Sequence, residues 1–292
     1  MADPSKDSRY LYRHIEFLAG HDADFMEFWR EQETLTQWAY LETFQRVEHA
    51  RVTHLRSLDT THARYAETMQ AAFSDIAQVP MDFSALGKDY ALYLANTARK
   101  FDDLNRFSAS LSIFMTGLNL GSKAYWYGRL KSTNSLNRKL QRLGQSHSGT
   151  FADRLLLDAV RFRIVVADLN LLHRAAEEIP AYFSNRVLAC RNYILRPRYG
   201  IIADRYKAIH YIIATEADGY PIEIQMMSQN REAASILDHH VGFKERSLGV
   251  RASQKEWLLQ FATAANILDG QSFAVHTIAS SSSNRSVLQA GS

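Results

Sequence analysis

Apolar positions recur at three- and four-residue spacing from Asp7 to about Ile113, the period of helices that bury one stripe. Leu11, Ile15 and Leu18 begin the pattern, and Phe25, Phe28 and Trp29 continue it. The spacing predicts helices over Leu35–Leu55, with Thr34 as N-cap, and over Thr60–Ile76, before Val79-Pro80 breaks the run. A further helix is expected from Lys88 to Asn105, with Tyr90, Tyr93, Leu94 and Phe101 on one stripe. Aromatic residues at this spacing read as helix packing.

After Gly117 the texture changes to strands alternating with helices. Strands are expected at Lys123–Leu130, Phe162–Val166, Arg186–Leu195, Ala208–Ala214 and Pro221–Met227. Helices are expected at Ser132–Leu143, at Leu169–Glu178 (ending before Pro180), at Asn230–Phe243 and at Lys255–Ile267. This order argues for an α/β or α+β domain with a sheet flanked by helices. The chain divides into an all-helical N-terminal region, 1–115, a sheet domain, 116–270, and a polar tail, 271–292, expected to be disordered.

Composition adds bounds. A hydrophobic share of 46% and a charged share of 22% in 292 residues suit one or two globular domains. No window approaches the roughly 18 uninterrupted apolar residues of a membrane helix. The polar start, Met1-Ala2-Asp3-Pro4, leads into no signal-peptide core, so the expected compartment is the cytoplasm. Cys190 stands alone, excluding an internal disulfide and a multi-cysteine zinc site. A net charge of +3 suits a site for small polyanions better than a long nucleic-acid surface.

Four segments carry polar residues that chemistry could use. In Gly128–Lys139, Lys131, Ser135 and Lys139 are spaced by four along one face of an expected helix that follows Arg129. Cations, a hydroxyl and helix-start amides can cradle a polyphosphate, although a solvated basic face is the plainer reading of the segment alone. Asp158 lies just before an apolar strand, with Arg163 five residues on. An acid there reads as a cap, a turn residue or a cation ligand. Tyr206-Lys207-Ala208-Ile209-His210 opens another strand, where Tyr206 could stack on a base and Lys207 and His210 could reach phosphate or ribose. Glu223 and Gln225 share one strand face, with Ile222, Ile224 and Met226 on the other, as a metal and hydrogen-bond site or an exposed polar face.

In this order the segments resemble the synthetase domain of the RelA/SpoT family, which makes guanosine tetra- and pentaphosphate alarmones. The family's Arg-x-Lys-x-x-x-Ser-x-x-x-Lys segment is matched by Arg129, Lys131, Ser135 and Lys139. Its Asp before a strand Arg is matched by Asp158 and Arg163, its Tyr-Arg/Lys-Ser/Ala-x-His segment by Tyr206 to His210, and its Glu-x-Gln strand by Glu223 and Gln225. Asp238-His239 and Phe243-Lys244 match the helix that closes the pattern. The resemblance runs from about Tyr125 to Lys244.

It implies a mixed-sheet, nucleotidyltransferase-like fold and a reaction in which ATP gives its β,γ-diphosphate to a 3′-hydroxyl, releasing AMP. It assigns ATP to Arg129, Lys131, Ser135, Lys139 and Arg163, and Mg²⁺ to Asp158 and Glu223, with Glu223 also taking the hydroxyl proton. On the acceptor side it assigns Tyr206, Lys207, His210, Gln225 and Glu232. The family-default acceptor is GDP or GTP. Some members are toxic small alarmone synthetases, and for these the resemblance implies tRNA 3′ ends or adenine nucleotides as acceptors, and an antitoxin or regulatory partner. A third reading is a catalytically silent nucleotide-binding regulator. Departures from the pattern fall mainly on the acceptor side: Arg205 before Tyr206, Met227 after the Glu-x-Gln strand, and Glu232 where an Asn is common. On the donor side, Val160-Arg161 replaces a usual Gly. His21-Asp22 matches the dipeptide of the family's hydrolase, without its other metal ligands.

Overall fold

A computed structural model describes residues 34–80, 90–131, 136, 157–196, 205–238 and 252–289. The stripe begun by Leu11, the expected helix Ser132–Leu143 apart from Leu136, and the segment holding His239, Phe243 and Lys244 lie outside the described residues. The described residues form two compact units. Residues 73–195 and 208–227 build the first, and the remainder build the second.

The first unit holds helices α3 (Tyr90–Ala95), α4 (Thr97–Leu118) and α5 (Leu169–Phe183). Its strands are β1 (Ala124–Leu130), β2 (Val160–Val166), β3 (Val187–Asn192), β4 (Ile209–Ala214) and β5 (Pro221–Ser228). The five strands make a mixed sheet in the order β1-β2-β5-β4-β3. Antiparallel pairing sets Tyr127 opposite Arg163 and Arg129 opposite Arg161 on β1 and β2, and His210 opposite Gln225 on β4 and β5.

Because side chains alternate across a strand, this register sorts the sheet into two unlike faces. On one face lie Trp126, Phe162, Ile164, Tyr211, Ile222 and Ile224, and there α4 packs on β1 and β2 and α5 on β2. Phe107 of α4 meets Phe162 at 5.0 Å and stacks on Phe183 of α5 at 5.3 Å between ring centres. The Tyr211 hydroxyl donates to the Ala176 carbonyl of α5 at 2.9 Å. The other face carries Arg129, Arg161, Arg163, Glu223, Gln225 and His210.

Helix ends differ from the sequence expectation for identifiable reasons. The single helix expected over Lys88–Asn105 is divided at Asn96, whose side chain accepts from Arg99 N at 3.0 Å and starts α4 afresh. Phe101, expected on the buried stripe, is exposed; the stripe of α4 runs instead through Phe107, Leu111, Phe114 and Leu118. Asp168 caps α5 by accepting from the amides of Asn170 and Leu171. That helix runs through Pro180 to Phe183, because Ile179 and Phe183 complete its apolar face against the sheet. Packing outweighs the lost hydrogen bond.

The second unit is helical: α1 (Thr34–Thr53), α2 (Leu58–Ala72), α6 (Gln229–Leu237) and α7 (Ala252–Gln289). Helix α7 packs on α1, α2 and α6. Near its middle lies a buried polar knot in which Asp269 accepts from Ser228 Oγ at 2.6 Å and Asn230 Nδ2 at 2.8 Å, and pairs with Arg231 at 2.6 Å. Burial pushes the Arg231 guanidinium below its ordinary pKa, and Asp269 opposes that shift. The stretch from residue 271, expected as a disordered tail, is helical through Gln289. Residues 271–289 contain neither Gly nor Pro, and they continue a helix already nucleated by packing. No described helix is long and apolar enough to cross a membrane.

Two consequences are measurable. A Cβ on Gly128 would stand 2.3 Å from the Phe162 ring, so the bare backbone is what lets that ring lie across β1. Gly128→Ala should therefore lower the unfolding free energy by about 1–3 kcal/mol, read from urea denaturation; an unchanged midpoint would mean the ring moves freely. Cys190 is buried, and burial pushes its thiol up to about 11. It should resist alkylation at neutral pH in the folded protein and react once the chain is unfolded. Rapid labelling of the native state would contradict that burial.

Candidate active site

The polar face of the sheet brings together residues from three neighbouring strands. Glu223 and Gln225 stand two apart on β5, and the Gln225 amide donates to Glu223 Oε2 at 2.7 Å. On β4, His210 Nδ1 lies 3.0 Å from Glu223 Oε1. On β2, Arg163 Nη2 donates to Gln225 Oε1 at 2.9 Å. A relay of hydrogen bonds thus runs from Arg163 through Gln225 to Glu223 and His210. Tyr193 meets the His210 ring edge-on at 4.9 Å, and Tyr127 lies under the Arg163 guanidinium at 5.9 Å.

Glu223 is only 7% exposed, so its carboxylate depends on these partners. Beside the relay, Tyr127, Arg129, Arg161, Phe162, Arg163 and Gln225 line a small pocket. Three guanidiniums and no carboxylate face it, which suits an anion. Where β1 ends and β2 begins, Lys131 pairs with Asp158, and the Lys131 amide donates to the Ala159 carbonyl at 2.9 Å. Asp158 sits in the turn before β2, not in the strand.

The remaining expected site residues are placed as follows. Ser135 and Lys139 lie outside the described residues. Tyr206 and Lys207 precede β4, which starts at Ile209, and group with the helical unit; the strand face expected to unite Tyr206 with His210 does not extend that far. There, with Arg205, Arg231 and Asn266, they line a second small pocket, and both are largely buried. Glu232, in the first turn of α6, is fully buried, so it is not presented to a ligand in this conformation. His210, expected to reach phosphate or ribose, is 1% exposed and engaged with Glu223. Its position on an inner strand commits the ring to the carboxylate.

Two contributors escaped the sequence reading. Tyr193 carries no local signal, since it enters through the pairing of β3 with β4. Arg161 was legible in principle: alternation alone places it on the face of Arg163.

Asp158 and Glu223 offer hard oxygen donors of the kind a divalent cation prefers. The donor chemistry fits.

Residues 128–247 match the family model described as the region found in RelA/SpoT proteins. Over that span the chain is similar to RelA/SpoT proteins. This span overlaps the resemblance read from Tyr125 to Lys244 and takes in all five motifs. Among solved structures, the small alarmone synthetase 1 from Bacillus subtilis is 18% identical with a TM-score of 0.52, covering 67% of this chain and 100% of that one. The small alarmone synthetase 2 from the same organism is 18% identical with a TM-score of 0.53, covering 65% and 99%. A GTP pyrophosphokinase family protein from Streptococcus pneumoniae is 16% identical with a TM-score of 0.53, covering 68% and 97%. At these identities the likeness speaks for the fold. No curated protein gives a significant match.

The His210–Glu223 contact can be measured directly. In a double-mutant cycle of His210→Ala and Glu223→Ala, the coupling energy should be about 0.5–3 kcal/mol. A value indistinguishable from zero would show that the two side chains do not depend on each other.

Proposed function

We propose that the protein is an ATP-dependent nucleotide pyrophosphokinase, transferring the β,γ-diphosphate of ATP to the 3′-hydroxyl of a purine nucleotide, with GDP or GTP as acceptor. The observation that carries this reading is the carboxylate of Glu223, held by His210 and Gln225 in the same sheet face as the Arg129 and Arg163 guanidiniums. A base beside a cluster of phosphate-binding cations is what phosphoryl-group chemistry asks of a protein.

In this reading Arg129, Lys131 and Arg163, with Ser135 and Lys139, bind and orient the triphosphate. Asp158 and Glu223 would hold a Mg²⁺, which would supply charge neutralisation at the phosphates. Glu223 accepts the proton of the 3′-hydroxyl, the 3′ oxygen bonds to the β-phosphorus, and the bond from that phosphorus to the oxygen bridging it to the α-phosphorus breaks, so that AMP leaves with that oxygen. His210 and Gln225 fix the carboxylate's orientation. Tyr206 stacks on the acceptor base and Lys207 reaches its phosphates, which requires the enclosed Tyr206 ring to become accessible.

A guanine acceptor is supported by the fold shared with a small alarmone synthetase 1 from Bacillus subtilis solved bound to its product pppGpp, 17% identical with a TM-score of 0.51. Incubation with γ-labelled ATP and, separately, GDP, GTP, ADP, ATP or deacylated tRNA should place label in GDP or GTP. Glu223→Gln should reduce that transfer by at least about 100-fold without loss of folded structure. Label in tRNA alone would make the protein a tRNA-modifying enzyme, and turnover of Glu223→Gln within a few-fold of wild type would remove Glu223 from the chemistry.

A further inference from the structure

We propose that Arg161 is a third guanidinium of the donor site, binding the polyphosphate of ATP alongside Arg129 and Arg163. The inference rests on the pyrophosphokinase reading, and it assigns a role to a residue outside the resemblance's set of ligands.

The register places Arg161 directly opposite Arg129, and alternation places it on the face of Arg163, two residues on. Like charges directly opposed on adjacent strands cost free energy, so a strand pair that concentrates three guanidiniums favours an anion between them. All three line the same pocket, and no carboxylate lines it with them. Neighbouring cations are already engaged: Lys131 pairs with Asp158, and Arg163 donates to Gln225. Among the described residues, Arg161 makes no side-chain hydrogen bond or ion pair. Half-buried at the surface of the sheet, it keeps a donor fork whose planar geometry matches phosphate oxygens better than a lysine would.

Calorimetric binding of ATP and of inorganic tripolyphosphate to the full chain tests this assignment. Arg161→Ala should weaken both ligands about tenfold, the scale of a lost charge-assisted contact, and Arg161→Lys should restore only part of the loss. Arg106→Ala, which removes an exposed arginine from α4 of the same unit, should bind both as wild type does. Thermal melting of each variant separates lost binding from lost folding, and Arg161→Gln serves should the alanine variant melt early. Affinities of a folded Arg161 variant within twofold of wild type, or an equal loss in Arg106→Ala, would overturn the role of Arg161 alone. Failure of the wild type to bind ATP would overturn the pyrophosphokinase reading and this inference with it.

Discussion

A carboxylate set into the middle of a sheet costs several kcal/mol unless its lone pairs are met by donors. Glu223 meets that condition with the Gln225 amide on one oxygen and the His210 ring on the other. Much of the first unit's architecture follows from it. Gln225 is steadied in turn by Arg163, which requires β2 and β5 to be neighbours. His210 reaches Glu223 only because β4 and β5 pair in the register that sets His210 opposite Gln225. A one-residue slip would turn every one of these side chains into the helix-packed face.

The opposite face makes the arrangement affordable in stability. Phe162, Ile164, Ile222 and Ile224 are buried there, and the Phe107–Phe162–Phe183 aromatic cluster ties α4 and α5 to β2. Gly128 contributes by having no side chain where the Phe162 ring lies. The hydrophobic face therefore fixes the strand positions, and the polar face inherits its geometry from them. Arg129, Arg161 and Arg163 crowd like charges on that face, an arrangement that an anion would relieve.

Much of this was legible from residue alternation. The Ile-Glu-Ile-Gln-Met run of β5 declared a strand with one polar and one apolar face, and it is one. Asp158 read as preceding its strand and lies in the turn before it. What was not legible depends on contacts distant in sequence. Nothing local shows that His210 turns to Glu223, that Tyr193 abuts that ring, or that Glu232 is enclosed in α6. The break at Asn96 and the passage of α5 through Pro180 were missed for a related reason: a cap in the first case and tertiary packing in the second outweighed the periodic pattern. Tyr206 and Lys207 illustrate the limit most clearly, since their motif continues into β4 while the two residues themselves group with the helical unit.

The central claim is that two phosphates leave ATP together. ATP labelled separately at its α-, β- and γ-phosphorus, incubated with the protein and a guanine nucleotide, tests it most directly. The account predicts that the β- and γ-labels reach the acceptor in equal amounts while the α-label remains in AMP. Transfer of the γ-label alone, with ADP as the other product, would show a simple kinase and contradict it.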